Sequence, residues 1–458
     1  MKSSKSSIHS KTHAIPDVRF EDQKMTSFSG LTVFQKLFDH LSLKQSLRQC
    51  FKHRIVSPIF GDATIVLLLV VHLLLGYREL RHLRFYEDDP MVKRLLGLKK
   101  LPDVATISRT LSSMDIDSVN NLQRTISSMV IDRLKALSLR RVTLDFDGSV
   151  IGTGRFAEGT AVGFNRKKKG QRSYYPLFCT VAQTAQVLDI LHRSGNVHDS
   201  NGAQAFILSC IEYVREALPG VVIEVRMDGA FFSEAMINAL EDHEVEYTVS
   251  VPFERLLILK EQVEKRHKWS WLDNRCDFFE LNWKPKSWKC RHRFVVVRQA
   301  SKVQQKAPVQ LDIFTPFDYQ WEFKVVLTNK KLTAAKLVSY HNGRGSQESI
   351  FAELKSCNQM DYVPTRTWAG NQIYLLSAVM AHNLTKELQM IVHQPERSTK
   401  QKRPTLWKFK KLGTIRREII QRAGRIIRPQ GKLVLSMAKN DAVEDEMLQF
   451  LDGIESAA

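Results

Sequence analysis

Polar residues dominate the first 28 positions and no apolar periodicity predicts an element there, so a disordered, basic N-terminus is expected over 1–28. From Gly30 the pattern turns helical. GLTVFQKLFDHLSLKQSL (30–47) carries apolar residues three and four apart. ATIVLLLVVHLLLG (63–76) is apolar on every face; it is too short to span a bilayer and contains His72, which predicts a buried helix. GYRELRHLRF follows, and in LPDVATISRTLSSM (101–114) Asp103 stands where an N-cap belongs before a short helix. Residues 29–139 are therefore expected to be all helical, and Arg78, Arg81, Arg84 and Arg109 could arm this region for DNA binding.

The period changes at Arg141. RVTLDFD alternates and is rich in β-formers, and YYPLFCTVAQ and QVLDILHRSG read as the next two strands. NGAQAFILSCIEYVREAL is an amphipathic helix, VVIEVRMD a strand, FFSEAMINALEDH a helix and VEYTVSVP a strand. Three strands followed by helix, strand, helix and strand predict a mixed α/β core, with a mixed sheet covered by helices. Residues 140–252 form its first part. From 253 to 328 the chain is tryptophan-rich and strand-like (WSWLDNRCDFFELNWKP, RHRFVVVRQ, LDIFTPF, WEFKVVLTN), which predicts an all-β insertion. Helices return at Thr333, and 329–394, with the long apolar helix NQIYLLSAVMAHNLTKEL (371–388), completes the core.

Charge adds a partner to this outline. The 458 residues carry 68 Lys+Arg against 48 Asp+Glu, a net +20, which suits a polyanion such as nucleic acid. The basic C-terminal segment, 395–458, concentrates it: 12 Lys and Arg but one acid, Glu418, lie between Arg397 and Arg428, with Trp407 and Phe409 interleaved. A solvated tail helix would give the same composition. Six singly spaced cysteines suggest neither zinc nor a disulfide framework and fit a reducing cytoplasm. The opening residues lack the apolar core of a secretory signal, so no membrane association is expected.

The candidate chemistry lies in three acids. Asp145 and Asp147 share one face of the strand ending LDFDGS, and Asp228 ends the strand of VRMDGAFF. Strand ends collect catalytic groups, although Asp-Gly after a strand is also an ordinary turn signal. Glu348 lies in YHNGRGSQESIFAELK (340–355), where Arg344, Glu348 and Lys355 fall within about 40° on one helical face. An exposed face with an Arg344–Glu348 ion pair fits the same spacing. Three carboxylates without histidine or cysteine make a hard oxygen site, suited to Mg²⁺ or Mn²⁺.

These motifs, taken in order, resemble the DDE transposases of bacterial insertion sequences. The likeness covers roughly 141–385 and is greatest to the branch with an all-β insertion between the second Asp and the Glu, within it the thirteen-eighty family. LDFDGS places the first acid on Asp147, VRMDGAFF the second on Asp228 and GRGSQESIFAELK the third on Glu348, at intervals of 81 and 120 positions. SYYPLFCTVAQT and RSGNVHDSNGA resemble the strands and loop between. The family's last motif is Tyr, two residues, Arg, three residues, Glu, six residues, Lys; Arg344, Glu348 and Lys355 keep its spacing, but His341 stands at the tyrosine position with Tyr340 just before it. In relatives that tyrosine is associated with handling DNA near the transposon end, which makes both rings candidate DNA contacts.

The resemblance implies an RNase H-like core and a metal-dependent transposase. Asp147, Asp228 and Glu348 would be catalytic acids and metal ligands, with Mg²⁺ as cofactor and Mn²⁺ as substitute. Arg344 and Lys355 would bind DNA phosphates, and Asp145 could support the acids without touching the metal. The partners implied are double-stranded DNA, as terminal inverted repeats and target, and a second copy of the chain in the DNA complex. The setting implied is a prokaryotic cytoplasm, at the nucleoid. Two other readings fit the same residues: a nuclease of this fold that cuts without joining, and a non-catalytic DNA-binding protein derived from a transposase.

Overall fold

A computed structural model describes residues 15–18, 24–54, 59–163, 165, 168–198, 201–300, 321–397 and 405–457. The expected disorder over 1–28 falls largely outside the described residues, as does the strand expected in LDIFTPF. Six helices open the fold: α1 (Leu31–His40), α2 (Leu43–Cys50), α3 (Asp62–Leu74), α4 (Pro90–Leu96), α5 (Val104–Ser112) and α6 (Ile116–Leu137). Their starts follow local chemistry. Asp103 accepts the amide of Thr106 at 2.6 Å and Asp115 that of Ser118 at 2.8 Å, while Asp89 caps α4 with Pro90 in its first turn.

Nine strands form one mixed sheet: β1 (Arg141–Gly148), β2 (Leu177–Val181), β3 (Val187–Leu191), β4 (Val222–Met227), β5 (Glu246–Ser250), β6 (Ser270–Asp273), β7 (Cys276–Trp283), β8 (His292–Ala300) and β9 (Trp321–Thr328). Their order is β6-β7-β8-β9-β5-β4-β1-β2-β3, with β1, β4 and β5 mutually parallel and every other pair antiparallel. The fold is thus mixed α/β, as the sequence predicts. The insertion differs in two ways. Its strands continue the core sheet through β9 on β5, and it opens with a helix, α9 (Leu257–Glu264), after α7 (Ala203–Ala217) and α8 (Glu234–Asp242). LILKEQVE repeats its apolar residues at helical spacing, and Leu259 and Val263 are buried, so helical packing prevails there over an all-β segment.

The strand period sorts the two faces of the sheet. Val142, Leu144 and Phe146 of β1 join an apolar core with α7 and α8. Thr143, Asp145 and Asp147 point the other way, towards α10 (Ala334–Asn342) and α11 (Ser346–Ser356). The long α12 (Trp368–Val392) is buried along nearly all its length against α3, α6 and α13 (Asp441–Ser456). The two ends of the described chain meet: Met25–Thr26 pairs with Gly424–Ile427, which pairs in turn with Val434–Met437. At Gly30 a Cβ would lie 2.1 Å from the carbonyl oxygen of Ile419, so only glycine permits this approach. Among the described residues no helix is long and apolar enough to cross a membrane.

Candidate active site

β1 and β4 are adjacent and parallel, so their carboxyl ends fall at one edge of the sheet, with Asp147 on β1 and Asp228 immediately after β4. Both are half-buried. Asp147 accepts the amide of Gly148 at 2.8 Å through one oxygen and the Nη1 of Arg344 at 3.1 Å through the other. Asp228 accepts the amide of Ala230 at 2.9 Å and caps the short 3₁₀ turn Gly229–Phe231. Beside this edge opens a cleft of about 1020 Å³, lined by Gly148–Val150, Asp228, Arg78, Lys168, Arg255 and Lys355 among others. Four cations on that wall suit an anionic ligand.

The third acid sits on a helical run that never breaks. Asn342, Gly345 and Ser346 are all right-handed helical, so the glycines tighten the chain into a 3₁₀ turn, Gly343–Gly345, between α10 and α11. That turn changes the rotation per residue at Arg344 and takes it off the face that Glu348 and Lys355 still share on α11. Arg344 turns onto Asp147 instead of pairing with Glu348, Glu348 is exposed in the first turn of α11, and Lys355 lines the cleft. The helix is anchored on both sides of Glu348. Gln347 Nε2 donates to the backbone oxygen of Asp145 at 3.0 Å, and Phe351 packs on Phe178 with ring centroids 5.0 Å apart. Further along, the buried Glu353 carboxylate takes the ammonium of Lys386 at 2.8 Å and the amide of Leu412 at 2.9 Å.

Asp147, Asp228 and Glu348 offer oxygen donors only, the chemistry a hard divalent cation prefers. Among the described residues no three His, Cys, Asp or Glu side chains gather closely enough to hold one ion, and Arg344 lies against Asp147. The residues thus fit a metal in donor type, without being gathered into a metal site among the described residues.

The remaining expected residues are inside. Asp145 is 1% exposed and grips the fully buried Arg226 through both oxygens, at 2.5 and 2.6 Å. Burial pushes its carboxyl up and the guanidinium opposes that. Tyr340 and His341 are buried too, so neither ring is available to DNA here. Tyr340 lies under Arg226 and Lys330, whose charges are 5.2 and 4.7 Å from its ring centroid. The imidazole of His341 bridges the hydroxyls of Thr248 at 2.9 Å and Ser250 at 2.8 Å. Burial first, then the charges of Lys324, Arg344 and Arg226, hold it well below the usual imidazole range, so the ring is neutral. Of the N-terminal arginines, Arg78 reaches the cleft and pairs with Asp361 at 2.6 Å.

Sequence reasoning passed over a second charged layer beneath these acids. Glu224, Arg226 and Lys330 are each almost wholly buried, and Glu224 takes the Nζ of Lys330 at 2.8 Å, Arg141 at 3.0 Å and the hydroxyl of Thr143 at 2.8 Å. The signal was present in VVIEVRMD, where Glu224, Arg226 and Asp228 alternate on the face that β1 fills with Thr143, Asp145 and Asp147.

A family model described as Transposase DDE domain group 1 matches residues 11–458. No curated protein matches the chain in sequence. Among solved structures, the chain is similar to the piggyBac transposase synaptic complex with hairpin DNA, at 12% identity over 78% of this chain and 74% of that one, TM-score 0.42. It is also similar to the Mos1 mariner paired end complex with Mn, at 12% identity over 43% of this chain and 60% of that one, TM-score 0.18.

Proposed function

The chain belongs to the transposase DDE domain group 1 family, and from that premise we propose that it cleaves the ends of a mobile DNA element and joins them to a target, with Asp147, Asp228 and Glu348 as its three acids. The observation that carries this assignment is the placement of Asp147 and Asp228 at the carboxyl ends of adjacent parallel strands, with the Arg344–Lys355 helical run packed beside them. A central β1 with the antiparallel β2 and then β3, antiparallel to β2, on one side, and the parallel β4 and β5 on the other, supports an RNase H-like core.

Each residue has a task that follows from its chemistry. Asp147, Asp228 and Glu348 would hold divalent cations, Mg²⁺ or Mn²⁺, which when bound polarise the phosphodiester and favour deprotonation of the attacking water. Arg344 orients the Asp147 carboxylate through one nitrogen and keeps other N–H donors for a DNA phosphate. Lys355 and the other cations of the cleft draw the duplex to the acids. Hydrolysis frees a 3′-hydroxyl, which attacks a second phosphodiester in line, so one site serves cutting and joining. Two element ends must meet for that second step, which calls for a dimer on DNA.

Glu348→Gln separates chemistry from binding, because it keeps size and hydrogen bonding but removes a charge. We expect it to bind duplex element ends as the wild type does in a mobility-shift assay, while Mg²⁺-dependent nicking falls at least ~100-fold. Undiminished nicking would remove Glu348 from the site; joint loss of nicking and binding would make it structural.

A further inference from the structure

The three acids stand on three pieces of chain that only partly share a backbone ladder. β1 and β4 are locked in register by strand pairing, with Asp145 opposite Arg226. The α10–α11 run, which carries Glu348, has no ladder to the sheet; beyond its short connection to β9, side-chain contacts set its position. Of these, one reaches all three pieces. Arg226 lies two residues before Asp228, on the same face of β4. Its Nε and Nη2 donate to the two oxygens of Asp145, which lies two residues before Asp147. Its Nη1 donates at 2.9 Å to the backbone oxygen of Tyr340, eight residues before Glu348.

We infer that Arg226 is a positioning residue that fixes the strand ends carrying Asp147 and Asp228 against the helical run carrying Glu348, the frame on which a divalent-cation site is built. This rests on the Asp-Asp-Glu reading above. The guanidinium is planar and rigid, and it directs donors along both of its edges at fixed angles. Bidentate contact with Asp145 fixes its plane against β1, and the remaining edge then fixes where the Tyr340 carbonyl, and hence α10, must lie. Stability alone would not call for this arrangement, because a well-packed apolar pair of similar volume commonly serves as well as a buried ion pair. An apolar pair cannot grip a carbonyl. Precision does call for it, since a displacement of about 1 Å at reacting groups costs on the order of 100-fold in rate.

Two conservative variants of the full-length chain test this: Arg226→Lys, whose ammonium keeps the charge but donates from one point and lacks the rigid fork, and Asp145→Asn, which retains the shape but loosens the grip. Each is compared with wild type by thermal melting, by binding to duplex element ends, and by Mn²⁺ titration of the protein–DNA complex followed by electron paramagnetic resonance. The expected result is cooperative melting, end binding within about twofold of wild type, and Mn²⁺ affinity reduced about 10–100-fold, with nicking partly restored by raised Mn²⁺. Wild-type Mn²⁺ affinity in either folded variant would overturn the inference. So would loss of cooperative melting and end binding in both, which would make the pair a stability element only. Nicking by Glu348→Gln at the wild-type rate would instead overturn the Asp-Asp-Glu reading itself.

Discussion

The helical body and the floor of the candidate site are both buried, and they are built on opposite principles. α3 packs Leu, Ile and Val on all sides against α2, α4 and α12, and the buried His72 near its end bonds Tyr86 at 2.6 Å and is held neutral by burial, near 3. The floor under Asp147 and Asp228 instead buries Asp145, Glu224, Arg226 and Lys330 together, with His341 and Tyr340 closing it from above. Apolar packing rewards volume and tolerates small shifts; paired charges reward geometry and penalise them. The helical body supplies stability in bulk. The floor gives up some of that for fixed positions, which a site needs and a scaffold does not.

The largest stability effect expected belongs to the helical body. Leu69→Ala in α3, at a residue 1% exposed, should lower unfolding free energy by about 2–5 kcal/mol by denaturant titration, without changing the metal dependence of nicking by the folded fraction. The next sits where the helical body meets the edge of the sheet. Asp189 on β3 meets α6 through Gln123 and has no cationic partner among the described residues; burial lifts it to about 6, against the amide bonds of Gln123 and Ile190. A raised carboxyl destabilises the fold only where it must ionise: the penalty is absent below the unfolded value near 3.8, grows as pH rises, and is complete above about 6. Asp189→Asn keeps the acceptor, so it should stabilise by at most about 3 kcal/mol at pH 8 and by nothing near pH 3. A gain that is the same at both pH values would show that the acid is not desolvated. The smallest change in stability is the most informative. Replacing Asp145 and Arg226 together by leucine should move stability by less than about 2 kcal/mol in either direction while nicking collapses. If that double variant unfolds as readily as Leu69→Ala, the contrast between the regions fails.

Local order was readable along the chain and long-range closure was not. The apolar run of α3, the Asp103 cap and the alternation of β1 each depend on neighbours within a few positions, and each stands as expected. Asp147 and Asp228 could be picked out because they end strands, and Glu348 because it shares a helical motif with Arg344 and Lys355. What His341 touches could not be read, since Thr248 and Ser250 are more than ninety positions away. The same distance hid the continuation of the core sheet into β9 and the role of Arg226, which needs Asp145 and Tyr340 brought to it from 81 and 114 positions away. A charged residue in a strand reads as surface until its partners are known.

The pairing of Met25–Thr26 with Gly424–Ile427, and of α3 with α12, sets a timetable for the nascent chain. At roughly 5–20 residues per second of synthesis, α3 waits on the order of 15–60 s for α12 to follow it out of the ribosome. Until then its leucines and valines have only the neighbouring N-terminal helices to cover them. Glu348 and the helix that seats it emerge in the same late interval. A ribosome that stalls or terminates before that interval releases β1 and β4 without α10, α11 and α12, the helices that close over them.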